Sequence, residues 1–198
     1  MTFGDGIDWN AEARRAAAAG MPGESPTELT ERIAKVLKAR EGYALYTGAK
    51  VVDCGCNIAR FYPAAKLAGF EYIGVDQAAE ALVIARDRYP GIHLEQSMLW
   101  GDWPKKVGAV DAAFCNAVLQ HNTLDEKRAI LKQISYAVQP GGVFAMQEST
   151  VIVETKTQLQ QGRWIELVEA FGFKLHSMWH PNAEYGILDG YVFVRVSR

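Results

Sequence analysis

From residue 50 onward the chain alternates short apolar runs with stretches of helical periodicity, and no other feature limits its fold so strongly. Runs at 50–54 (KVVDC), 71–75 (EYIGV), 92–96 (IHLEQ), 110–115 (VDAAFC) and 142–147 (GVFAMQ) read as strands. The stretches 58–68, 79–89 and 123–138 read as helices, whereas the link 97–109 is irregular and carries no helix assignment. Strands joined through helical crossovers of about a dozen residues lie parallel, with helices on both faces of the sheet. A helix at 157–170 then leads to strands near 173–179 and 190–197. Only the nine residues Pro181 to Asp189 separate these last two, which is short for a crossover and predicts an antiparallel hairpin. The expected architecture is a doubly wound α/β sheet of seven strands, six parallel and the last antiparallel.

Before this core lies a different kind of sequence. Residues 8–19 are rich in Ala, Glu and Arg and read as a helix, which the breaker cluster from Gly20 to Pro26 ends. Ser25, Pro26 and Glu28 have the pattern of a capping box with proline at the first helical position. Leu29, Ile33 and Val36/Leu37 then mark one face of a second helix, with Gly42 as its stop. The chain accordingly divides into a helical appendage, residues 1–47, placed to act as a lid, and a core, residues 48–198. The 198 residues carry 21 Lys+Arg against 23 Asp+Glu, a formal charge of −2. That balance lacks the basic excess of a protein that coats nucleic acid. No apolar run nears the ~18 residues of a membrane span, no secretory leader is evident, and three cysteines make no disulfide framework. The expected setting is the cytoplasm.

The most informative segment is the first strand-to-helix turn, Val51-Val-Asp-Cys-Gly-Cys-Asn-Ile-Ala-Arg60. In doubly wound sheets ligands bind beyond the carboxyl ends of the strands, and a small-residue turn opening a helix admits a nucleotide-like group. A dinucleotide fold would want G-x-G-x-x-G, where this chain has Gly55-x-Asn57-x-x-Arg60. A nicotinamide-dependent oxidoreductase is therefore disfavoured. Asp76 ends the second strand, 23 residues after Asp53, where an acid can accept both hydroxyls of a ribose. No C-x-x-C or H-E-x-x-H pattern occurs, so no metal site is expected.

Several of these segments, taken in order, resemble the class I S-adenosylmethionine-dependent methyltransferases. Asp53 and Gly55 match the first motif, (D/E)-x-G-x-G-x-G, with Asn57 and Ala59 in place of the second and third glycines. Asn is the non-glycine residue most at ease with positive φ. The resemblance continues through Tyr72-Ile-Gly-Val-Asp-Gln77, Glu80-Ala-Leu-Val-Ile-Ala-Arg86, the "fD…vl.H" segment Val110 to His121, and Gln139-Pro-Gly-Gly-Val-Phe144. It runs from about 49 to 197 and implies a Rossmann-like core that binds S-adenosylmethionine and methylates an O or N atom of a small molecule. The D/N-P-P-Y/F signature of DNA amino-group methylases is missing.

The resemblance implies a cofactor site made of Asp53, Gly55, Cys56, Asn57, Ala59, Arg60, Asp76, Gln77, Ser97, Met98 and Asn116. Arg60 either reaches the methionyl carboxylate or lies on a solvated helix face. After the third strand, either Ser97 makes the polar adenine contact with Met98 packing on the ring, or Asp102 folds back. His121 is the candidate proton acceptor, with capping of the following helix as its alternative role. Glu148, His180 and Tyr185 are candidate rim residues for substrate. Trp100 and Trp103 suit structural packing better than stacking on a ligand. A partner chain or second copy completing the pocket, and a non-catalytic scaffold or activator of another enzyme, remain alternatives at this stage.

Overall fold

The computed structural model describes residues 6–18, 31–35, 48–150, 158–179 and 188–196. Seven strands form one sheet in the order β3-β2-β1-β4-β5-β7-β6. They are β1 (Lys50–Cys54), β2 (Glu71–Asp76), β3 (His93–Gln96), β4 (Val110–Asn116), β5 (Val138–Ser149), β6 (Phe173–Trp179) and β7 (Leu188–Arg195). The pairs from β3 across to β5 are parallel, and β7 runs antiparallel between β5 and β6. β7 alone is reversed, as the short link before it requires.

The helices are α1 (Trp9–Ala18), a segment at 31–35 here called α2, α3 (Tyr62–Leu67), α4 (Ala79–Arg88), α5 (Trp103–Val107), α6 (Leu124–Ala137) and α7 (Gln161–Glu169). Their apolar stripes cover both faces of the sheet. On one side Val52, Cys54, Ala113, Cys115, Phe144 and Met146 pack with Trp103, Ile130, Ile134 and Trp164. On the other, the alternate strand residues Val51, Ala112, Phe114, Val143 and Ala145 pack with Ile33, Ala65 and Ala85. This two-sided burial explains why the strands read as near-continuous apolar runs. Gly142 lies where strand β5 crosses close to its neighbour: a Cβ there would come within 2.7 Å of the Asp111 carbonyl oxygen.

Three boundaries differ from the sequence reading. The helix expected over 58–68 begins at Tyr62, because Asn57 and Ala59 are left-handed (φ 49° and 56°) and Pro63 suits a first helical turn. The irregular link 97–109 holds the five-residue helix α5, closed by Gly108 at φ 76°. The helix expected from 157 begins at Gln161. The capping box at Ser25, Pro26 and Glu28 lies outside the described residues, as do His180 and Tyr185. Among the described residues no helix is long and apolar enough to cross a membrane.

Candidate active site

The sheet's order reverses between β1 and β4: the chain leaves β1 toward β2 on one side and returns through β4 on the other. Loops beyond the strand ends therefore diverge at this point and leave a crevice. A cavity of about 230 Å³ lies there. Its wall is built from the β1 turn (Gly55, Asn57, Ile58, Arg60), the end of β2 (Asp76, Gln77), the β3 loop (Leu99, Trp100), the β4 loop (Asn116, Ala117, Val118, His121, Asn122) and α1 (Trp9, Glu12, Ala16).

The β1 turn owes its shape to alternate left-handed residues. Gly55 has φ 81°, and its N–H donates to the Val75 carbonyl at 2.8 Å. A Cβ at Gly55 would stand 2.6 Å from a Val118 methyl, so the residue leaves room for the β4 loop. Asn57 and Ala59 share the left-handed conformation. The positions where the resemblance calls for glycines are thus the ones whose backbone turns left-handed, and Asn57 and Ala59 hold that geometry at some cost in strain.

Asp76 fastens this turn to the second strand. Its Oδ2 accepts the Asn57 N–H and its Oδ1 accepts the Ala78 N–H, both at 2.8 Å, while the residue also faces the cavity. Burial raises its pKa, and the backbone donors pull the other way. Two residues of the lining carry unsatisfied amide oxygens: Asn57 Oδ1 and Asn116 Oδ1 are buried and accept no hydrogen bond. Leaving a buried polar group unpaired costs about 1–3 kcal/mol, which a ligand donor would recover.

His121 closes the 3₁₀ turn Leu119–His121 and lines the cavity. The Gln120 side-chain amide nitrogen stands 3.3 Å from His121 Nε2. The Trp9 ring meets the imidazole edge-on at 5.0 Å. The following helix α6 is capped by Thr123 and Glu126, not by the histidine.

Other expected site residues stand elsewhere. Asp53 is 2% exposed and does not line the cavity. It accepts the Tyr72 hydroxyl at 2.6 Å, and burial pushes its pKa from 3.8 up to about 7. Cys56 and Ala59 are buried beneath the turn. Ser97 and Met98 sit outside the lining, with Ser97 Oγ donating to the Met98 carbonyl at 2.9 Å. Asp102 precedes α5 and does not reach the cavity. Glu148 requires a correction. It is fully buried and no rim residue, because the β4 loop folds over it and gives it three backbone N–H groups.

Trp103 is core, as its apolar surroundings suggested, with its indole N–H donating to the Leu99 carbonyl at 2.9 Å. Trp100 instead lines the cavity. The α1 residues Trp9, Glu12 and Ala16 carried one signal of their role, the i, i+3, i+7 spacing of a helix face. Nothing local indicated what that face would cover.

The topology, with a turn-and-acid site at its switch point, is that of the class I S-adenosylmethionine-dependent methyltransferases. Residues 51–142, a little under half of the chain, match the family described as "Methyltransferase domain". No curated protein sequence matches it significantly. Solved structures with the same fold include a TehB-like SAM-dependent methyltransferase from Corynebacterium glutamicum (18% identity, TM-score 0.67, covering 95% of this chain and 96% of that one). Magnesium protoporphyrin IX methyltransferase from Synechocystis, with bound SAM, is also similar (15%, TM-score 0.67, 96% and 85%). So is the [4+2]-cyclase SpnF (13%, TM-score 0.75, 100% and 98%).

Proposed function

We propose that the cavity binds S-adenosylmethionine and that the chain transfers its methyl group to an O or N atom of a small molecule. The observation that carries this reading is the cavity at the switch point, lined by Asp76 and by Asn57 and Asn116, whose amide oxygens are unsatisfied. They ask for a ligand with buried donors. A ribose and an ammonium group supply such donors. S-adenosylmethionine, when bound, supplies an electrophilic methyl on a sulfonium centre.

In this reading Asp76 accepts the ribose hydroxyls with the lone pairs its backbone donors leave. Asn57 and Asn116 accept from the ammonium, and Arg60 pairs with the carboxylate. Gly55 and Gln77 line the path of the nucleoside. Ser97 and Met98 would support the adenine end through Leu99 and Trp100, which line the cavity. Asp53, Cys56 and Ala59 hold the turn from below. His121 lines the cavity as the candidate acceptor of a proton from an acceptor hydroxyl or amine. Helix α1 acts as a lid that excludes water, so much of the acceleration comes from positioning. Trp9, Glu12 and Ala16 bring α1 of the same chain into the wall.

Likeness of fold alone does not decide the reaction, as the cyclase among the similar structures illustrates. The test is calorimetry with S-adenosylmethionine, S-adenosylhomocysteine and NADH, followed by labelled-methyl transfer to a panel of hydroxyl and amine acceptors. Asp76→Ala should weaken both sulfur ligands about ten- to a hundredfold, from the loss of charged hydrogen bonds. Binding of NADH, or of neither sulfur ligand, would sink the reading. Binding without transfer to any acceptor would favour a non-catalytic role.

A further inference from the structure

We propose that Glu148 is a positioning residue: from the end of β5 it sets the place of the β4 loop that walls the cavity. The inference rests on the cofactor reading above. Glu148 Oε1 accepts the N–H groups of Val118 and Leu119 at 3.2 and 2.9 Å, and Oε2 accepts that of Gln120 at 2.9 Å. One side chain thus holds three consecutive amides of the segment that carries Val118 and His121 into the cavity. The attachment is reciprocal. Gln120 Oε1 accepts the Ser149 N–H at 2.6 Å, and the Ala117 N–H donates to the Gln147 carbonyl at 2.7 Å. Ala117 is held left-handed at φ 54°, a conformation that persists only where its surroundings impose it.

The consequence reaches the opposite wall. Val118 is the residue that the missing Cβ of Gly55 accommodates, at 2.6 Å. Moving the loop therefore changes the width between the β1 turn and the β4 loop, where the ligand must lie. An apolar residue at 148 would leave three amides without an acceptor, which explains an acid in a fully buried position.

Charged and titratable groups face Glu148 from each packed element. Lys127 comes from α6, with its ammonium on the Asn122 carbonyl, and Cys115 comes from β4. Asp189 stands opposite on β7 with Tyr191 beside it, and His121 ends the loop itself. Burial raises the pKa of Glu148 from 4.5 to about 7, with the three N–H groups and then Lys127 opposing. The N–H groups and Lys127 thus favour the carboxylate where burial alone would favour the neutral acid.

Two measurements on the full chain test this. Hydrogen exchange at pH 8 should show the amides of residues 118–120 losing protection, relative to α6, in Glu148→Gln. Calorimetry with S-adenosylhomocysteine should show Glu148→Gln binding about three- to tenfold more weakly than the wild type at pH 8, the scale of one weakened charged hydrogen bond. Unchanged protection at 118–120 in Glu148→Gln overturns the proposal. If the wild type binds no sulfur ligand, the cofactor reading fails, and exchange in Glu148→Gln still decides whether Glu148 holds the loop.

Discussion

At the residue scale the site depends on a few backbone conformations that side chains elsewhere impose. Gly55 shows this most directly. A Cβ would meet Val118 at 2.6 Å, and at φ 81° any L side chain is strained. Gly55→Ala should therefore destabilise the fold by about 2–4 kcal/mol, from left-handed strain plus overpacking, as read by urea unfolding. It should also weaken S-adenosylhomocysteine binding, since Val118 would be pushed into the cavity. A loss under 1 kcal/mol would show that Val118 yields freely, and with it the loop Glu148 holds. Much of this turn was legible from sequence, because glycine and asparagine at alternate positions report a backbone with positive φ. The left-handed Ala59 was legible only through the family pattern, since nothing about alanine itself favours that conformation.

Among the elements, α1 is the one whose role the sequence left open. Its Ala, Glu and Arg content predicted a helix, but propensity says nothing of which face is covered, or by what. The structure buries Ala13 and Ala16 against Ile58, Ala78 and Ala81 and turns Trp9 and Glu12 toward the cavity. An Arg14–Glu80 ion pair joins α1 to α4, but both side chains are about half exposed, and such pairs contribute little. Small-residue packing should thus dominate the docking of α1. Replacing Ala13, which is fully buried, by Leu should force α1 off α4 and speed S-adenosylhomocysteine release about tenfold or more. Arg14→Ala should change that rate less than about threefold. Stopped-flow tryptophan fluorescence would measure both. A larger effect for Arg14→Ala would show that charge, and not packing, holds the lid.

For the whole molecule, the sheet gathers titratable groups into low-dielectric surroundings that no local segment reveals. Asp53 and Glu148 are both raised to about 7 by burial, from 3.8 and 4.5. An acid whose folded pKa is raised binds more protons in the folded state between its two pKa values. Its contribution to stability is complete below the unfolded value and is lost as pH rises through the folded one. Unfolding free energy should then fall between about pH 4 and pH 7, by an amount on the order of 3 kcal/mol for each group if solvent rearranges little. Lys127, lowered by burial to about 8, acts in the opposite sense above that pH. Urea titrations at pH 5, 6, 7 and 8 should show the decline, and Asp53→Asn should flatten it in part. A stability that rises through this range would contradict the burial of both acids. The same gathering separates what the chain determined alone from what needed the fold. Local apolar periodicity, crossover length and turn chemistry determined the strands, their parallel pairing, the reversed β7 and the positions of Gly55, Asn57 and Asp76. These are short-range properties, written in neighbouring residues. Tertiary structure decided that Asp53 lies beneath the site, that Glu148 faces inward to three amides of the β4 loop, and that α1 lines the cavity. Each of these joins segments tens of residues apart, and only packing in three dimensions determines which of them meet.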